Sequence, residues 1–194
     1  MSDTETSSSE PPSSSDRPCA DDDSPGRQPA SDTGCTFDLL DKKNLLDASV
    51  CSALTGQVRA ALDCACAHGE IRADIVDDAA MSHAHMEYLE IEGTTDVLTF
   101  DLTNGGSADG MPLDVDIMIC IDEAARQAHK RGHPVEHEMT LYIVHGVLHC
   151  LGYDDITEAE SARMHAEEDR LLTAAGIGAV FHKARGSDGD GGGS

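Results

Sequence analysis

Positive charge is scarce in this chain. Thirteen Lys and Arg stand against 37 Asp and Glu among 194 residues, a net charge of −24. Residues 1–34 hold eight acids and two bases, and residues 183–194 hold two of each, so residues 35–182 alone carry −18. Surfaces that bind phosphate are ordinarily basic. The deficit therefore excludes binding to nucleic acid by bulk charge, and it suits a protein kept soluble in a salty interior. No apolar stretch approaches the ~20 residues that cross a bilayer, so no membrane-spanning helix is expected. The N-terminus has neither a basic segment nor an apolar run, and no secretory leader is expected. The seven cysteines are odd in number and contain no Cys-x-x-Cys. That excludes a disulfide framework and a zinc ribbon, and it points to the reducing cytoplasm. Cys120 and Cys150 lie in apolar runs and are expected as buried thiols, while Cys64 and Cys66 are expected to be incidental.

Hydrophobic residues are missing from both ends. Residues 1–34 are rich in Ser, Asp and Pro, and residues 183–194 end in a Gly-rich run. Neither buries enough apolar surface to offset ordering, so both are expected to be disordered tails. Residues 35–182 remain as one domain of ordinary size.

What is present centres on His145-Gly-Val-Leu-His149-Cys-Leu-Gly152-Tyr-Asp-Asp155. His145 and His149 are four apart and share one face of a helix. Two imidazoles so placed bind one ion at about 2.0–2.1 Å each. Gly152 suits the left-handed turn that ends a helix. Asp155 follows where the returning chain offers a third ligand; its neighbour Asp154 is the alternative. Three protein ligands and an open position characterise catalytic zinc, whereas structural zinc is closed by four. The flanking Leu141, Tyr142, Ile143, Val144, Val147, Leu148 and Leu151 predict a helix buried nearly all round. Imidazoles buried there need a metal or hydrogen-bond partners to offset desolvation. Gly146 stands where His-Glu-x-x-His proteases carry their general base, so peptide hydrolysis by that route is not expected.

These residues resemble the YbeY family of bacterial endoribonucleases. The family signature His-Gly-x-Leu-His-Leu-x-Gly-Tyr-Asp-His matches 145–155, with Cys150 replacing Leu and Asp155 replacing the last His. Thr95-Asp96-Val97-Leu98-Thr99-Phe100 resembles the family's Thr-Asp-Val-Leu-Ser-Phe, and Asp116-Ile117-Met118-Ile119 its Gly-Asp-Ile-Val-Ile, with Val115 where Gly is usual. Met164 and Glu167 or Glu168 fit its last helix, and the likeness covers about residues 36–176. Where the family usually has Tyr-Arg, this chain has Tyr88-Leu89. The resemblance implies one Zn²⁺ per chain on His145, His149 and Asp155. It implies cleavage of single-stranded RNA in processing of the 16S ribosomal RNA 3′ end and ribosome maturation, with the ribosomal subunit or assembly factors as partners and neither DNA nor membrane. An ion held there acidifies water or polarises a phosphodiester, with no side-chain base assigned. Two other readings stay open: a metal hydrolase on a non-nucleic substrate, and a ribosome-assembly module with a structural metal.

Periodicity predicts strands over 36–40, 71–76, 96–102 and 115–121. Helices are predicted over about 49–67, capped by Asp47 or Ser49, over 79–90, capped by Asp78, and over 123–130, capped by Asp122 and closed by Gly132. The metal helix starts at Pro134, and a capping box of Thr157 with Glu160 opens a last helix to about Ala175. A flexible loop is expected over 104–110. The sum is an α+β fold, a small mixed sheet packed with about five helices and the metal site on a central one. Arg126, Lys130 and Arg131 form either a small phosphate-facing patch or a solvated helix face. His83, His85, His137 and His165 are expected at the surface.

Overall fold

The computed structural model describes residues 34–103 and 111–180. The tails expected over 1–34 (Gly34 apart) and 183–194, and the loop expected over 104–110, lie outside the described residues. Four strands, β1 (Cys35–Leu40), β2 (Gly69–Val76), β3 (Val97–Asp101) and β4 (Leu113–Cys120), form one sheet in the order β1-β2-β4-β3. β1, β2 and β4 run parallel and β3 pairs antiparallel with β4. Five helices complete the fold: α1 (Ala48–Cys64), α2 (Asp78–Leu89), α3 (Ile121–Arg131), α4 (Val135–Cys150) and α5 (Glu158–Ala174). This is the expected mixed sheet with five helices, in the expected order.

Alternation along the strands sorts the two faces. Phe37, Ile71, Ala73, Ile75, Val115, Ile117 and Ile119 point to the face where α1, α4 and α5 pack, against Leu54, Val58, Ile143, Val147, Met164 and Leu172. The next residues along, Val76, Leu98 and Cys120, turn the other way and meet Met81 and Ala84 of α2. Thr99, between Leu98 and Phe100, therefore faces α4. α4 is buried along most of its length, from Glu138 to Cys150.

Local signals set most boundaries. Gly132 ends α3 at φ 71, and Thr157 with Glu160 forms the capping box of α5. Two caps differ from expectation. Asp77, not Asp78, caps α2 by accepting from the Ala80 N–H at 2.9 Å. Cys120 precedes α3, and the Asp122 carboxylate instead accepts from the Asp78 N–H at 2.8 Å. Both changes follow from long-range bonds that adjacent α2 and α3 make to each other.

Two of the three cations on the Arg126–Arg131 face are already paired. The Arg126 guanidinium is held by Asp78 and Glu123, and Arg131 by the fully buried Glu138, which also takes His133 at 2.8 Å. His137 is half-buried, with its ring 5.8 Å from that of His133, and His165 is half-buried too; His83 alone of the four stands fully exposed. Leu89 closes α2 on the surface, 51% exposed.

Candidate metal centre

α4 delivers His145 and His149 from its last two turns. It stops because Gly152 adopts φ 85 and closes a Schellman motif: the Tyr153 N–H returns to the Leu148 carbonyl at 3.0 Å and the Gly152 N–H to His149 at 3.0 Å. No atom crowds the Gly152 α-carbon, so backbone conformation alone selects glycine there. The turn brings Asp155 back: His145, His149 and Asp155 each offer a ligand atom, all within 4.8 Å of one another. Asp154 is otherwise engaged, its carboxylate accepting from the Asp155 N–H at 2.8 Å.

Both imidazoles are oriented from behind. His145 Nδ1 lies 2.8 Å from Glu168 Oε1, and His149 Nδ1 lies 3.2 Å from the Tyr153 carbonyl oxygen. A carboxylate and a carbonyl only accept, so both Nδ1 atoms donate. Neutral rings then present two lone pairs at Nε2, and these two nitrogens are 3.2 Å apart. Facing lone pairs at that distance repel unless a metal ion, or a proton shared in an Nε2–H···Nε2 bond, stands between them. Two nitrogens at the Zn–N distance around a tetrahedral ion are separated by about 3.3 Å. The donor set of two imidazoles and a carboxylate therefore fits a divalent ion of the zinc type. The same arrangement raises the His145 pKa above its ordinary value, chiefly through the bond to Glu168, against the opposing effect of burial.

Glu168 is the residue of the candidate site that spacing could not single out. It comes from α5, it is fully buried, and its second oxygen, Oε2, has no hydrogen-bond partner. A carboxylate left half-satisfied in the core is costly to the fold, and here its satisfied half orients a candidate ligand. The sequence carried one signal, the likeness of the last helix, which left Glu167 and Glu168 unresolved; Glu167 pairs with Arg170 instead.

Gly146 has a steric reason to be glycine. A Cβ there would collide with the Thr99 hydroxyl of β3, so no general-base side chain fits at that position. Beside it opens a cleft of about 310 Å³ lined by Thr99, Asp101, His149 and Cys150. Burial, with Asp101 nearby, pushes the Cys150 thiol up to about 11, which keeps it protonated and unsuited to attack as a thiolate. A second grouping, Asp78 with Cys120 and Asp122, also lies within ligand reach. Both Asp78 oxygens are committed to Arg126, and one Asp122 oxygen to a backbone N–H.

The family model described as Endoribonuclease YbeY matches residues 41–176. Among curated relatives, the Endoribonuclease YbeY of Nocardia farcinica is 43% identical over 110 residues, which cover 53% of this chain and 60% of that one. The one from Corynebacterium kroppenstedtii is 33% identical over 144 residues, 70% of this chain and 68% of its own. For the first relatives matched, the chain spans about 60% of their length. A solution structure of a Thermotoga maritima protein superposes with a TM-score of 0.54 at 17% identity, covering 82% of this chain and 99% of that one. That likeness is one of fold.

Proposed function

The chain belongs to the YbeY endoribonuclease family, and on that premise we propose that it is a zinc-dependent endoribonuclease cutting single-stranded RNA. Its place is the cytoplasm, in processing of the 16S ribosomal RNA 3′ end and ribosome maturation, with the ribosomal subunit or assembly factors as partners. Among the described residues no helix is long and apolar enough to cross a membrane. The observation that carries the reading is the pair of Nε2 atoms 3.2 Å apart, both with Nδ1 engaged, beside the Asp155 carboxylate.

His145, His149 and Asp155 would hold one Zn²⁺. When bound, such an ion supplies Lewis-acid polarisation of a phosphoryl oxygen and lowers the pKa of water. The protein's part is positioning. Glu168 and the Tyr153 carbonyl fix the two rings, so their lone pairs need no reorganisation. Thr99 and Asp101 line the cleft next to His149, and their oxygens suit neutral donors of the RNA, a ribose hydroxyl or a base amine, rather than its phosphates. Neither position 146 nor Cys150 supplies a general base, because Gly146 has no side chain and the Cys150 thiol stays protonated.

The test is cleavage of a labelled RNA by the full chain, offered single-stranded and as a duplex of the same sequence. Cleavage of the single strand alone, abolished by chelation and restored by zinc, is expected. Undiminished cleavage after chelation, or none by the zinc-loaded protein, would overturn the reading.

A further inference from the structure

A strongly acidic chain that acts on RNA needs a cation free to meet phosphate, and among the described residues six of the nine Lys and Arg are occupied. Lys42 and Lys43 pair with Asp74 and Asp77. Arg72 is shared among Glu70, Asp114 and Asp116. Arg126, Arg131 and Arg170 are held by Asp78, Glu138 and Glu167. Among the described residues Arg59, Lys130 and Arg163 remain without an ion pair, and of these three Arg163 packs on the turn of the candidate site. It is exposed on the second turn of α5, no carboxylate of the described residues pairs with it, and its guanidinium lies 5.0 Å from the centroid of the Tyr153 ring. Tyr153 sits in the turn joining His149 to Asp155, and its carbonyl oxygen fixes the His149 ring.

We propose that Arg163, stacked on Tyr153, is the phosphate-contacting residue of the RNA site, gripping a phosphate that flanks the one at His145, His149 and Asp155. Stacking on an aromatic face holds a guanidinium by cation–π attraction and leaves its in-plane N–H donors unused. Those donors match two phosphate oxygens bidentately. The site itself attracts phosphate weakly, because Asp155 and Glu168 offset the two charges of a dication. Affinity for the RNA backbone must come from a neighbouring cation, and Arg163 rests on Tyr153, the residue whose carbonyl holds the His149 ring. The inference rests on the endoribonuclease reading.

The probe is a short fluorescent single-stranded RNA titrated with the zinc-loaded full chain over a range of salt, for wild type, Arg163→Ala, Arg163→Lys and Tyr153→Leu. Arg163→Ala is expected to weaken binding about tenfold and to reduce the slope of log K against log salt by about 0.7, the value for one phosphate on a single strand. KM should rise by the same factor with kcat little changed and zinc content intact. Arg163→Lys should keep the salt slope and recover part of the affinity. Tyr153→Leu should weaken binding because the guanidinium loses its platform. Unchanged affinity and slope in Arg163→Ala would overturn the proposal while leaving the endoribonuclease reading standing. A loss of zinc in Arg163→Ala would also overturn it, since Arg163 would then only brace the turn. Failure of the wild type to bind or cleave RNA would remove the endoribonuclease reading, and this inference with it.

Discussion

The Nε2 atoms of His145 and His149 face each other across 3.2 Å, and each ring spends its Nδ1 hydrogen on a different acceptor. One acceptor comes from α5 and the other from the turn that ends α4, so three separate pieces of chain aim two lone pairs at one point. Such convergence suits an ion.

Glu168 is the first handle on that arrangement. Glu168→Gln keeps an acceptor for His145 Nδ1 and removes the buried charge. Zinc affinity, measured by competition with a chromogenic chelator, should fall roughly 10–100-fold. The fold should lose little or gain stability, because the unpartnered oxygen is no longer charged. Unaltered zinc affinity would reduce Glu168 to an accident of packing.

Gly146 offers a steric test. In Gly146→Ala the new Cβ meets the Thr99 hydroxyl, so the Thr99 side chain or α4 must shift. Overpacking of this kind costs about 1–3 kcal/mol. Urea unfolding should show that loss, and Thr99→Ala in the same chain should recover most of it, a coupling expected of side chains in contact. Additive effects of the two substitutions would show that the collision does not occur.

The Asp78–Arg126 pair governs acid stability. The Arg126 guanidinium, with the Cys120 thiol, holds the Asp78 carboxyl down from its ordinary 3.8 to about 2. A carboxyl depressed in the folded state stabilises the fold above its unfolded pKa, and that contribution is lost as pH falls through the folded value. The stability difference between wild type and Arg126→Gln should therefore be constant above about pH 5 and close on approaching pH 2. Denaturant midpoints taken across that range check it. A difference that widens toward acid would have the wrong sign.

The order of strands and helices was legible because it depends on local periodicity. The alternation of β2 and β4, Gly132 after α3 and the Thr157–Glu160 box all act within a few residues. The candidate ligands were legible for the same reason, since 145, 149 and 155 lie within one helix end and its turn. Long-range electrostatics was not. Glu168 reaches His145 from 23 residues downstream, and Arg126 finds Asp78 across 48. Asp78 and Asp122 resemble helix caps in sequence, but tertiary partners claim both side chains. Arg163 was one of nine cations of the 35–182 region, and only the stack on Tyr153 sets it apart.

Metal analysis of the purified full chain, wild type beside His149→Ala and Asp155→Ala, tests the central claim most directly. One zinc per chain should accompany the wild type, be lost in His149→Ala and be much weakened in Asp155→Ala, while circular dichroism stays unchanged and RNA cleavage disappears with the metal. Full zinc occupancy with undiminished cleavage in Asp155→Ala would remove that carboxylate from the site and contradict a three-ligand catalytic centre.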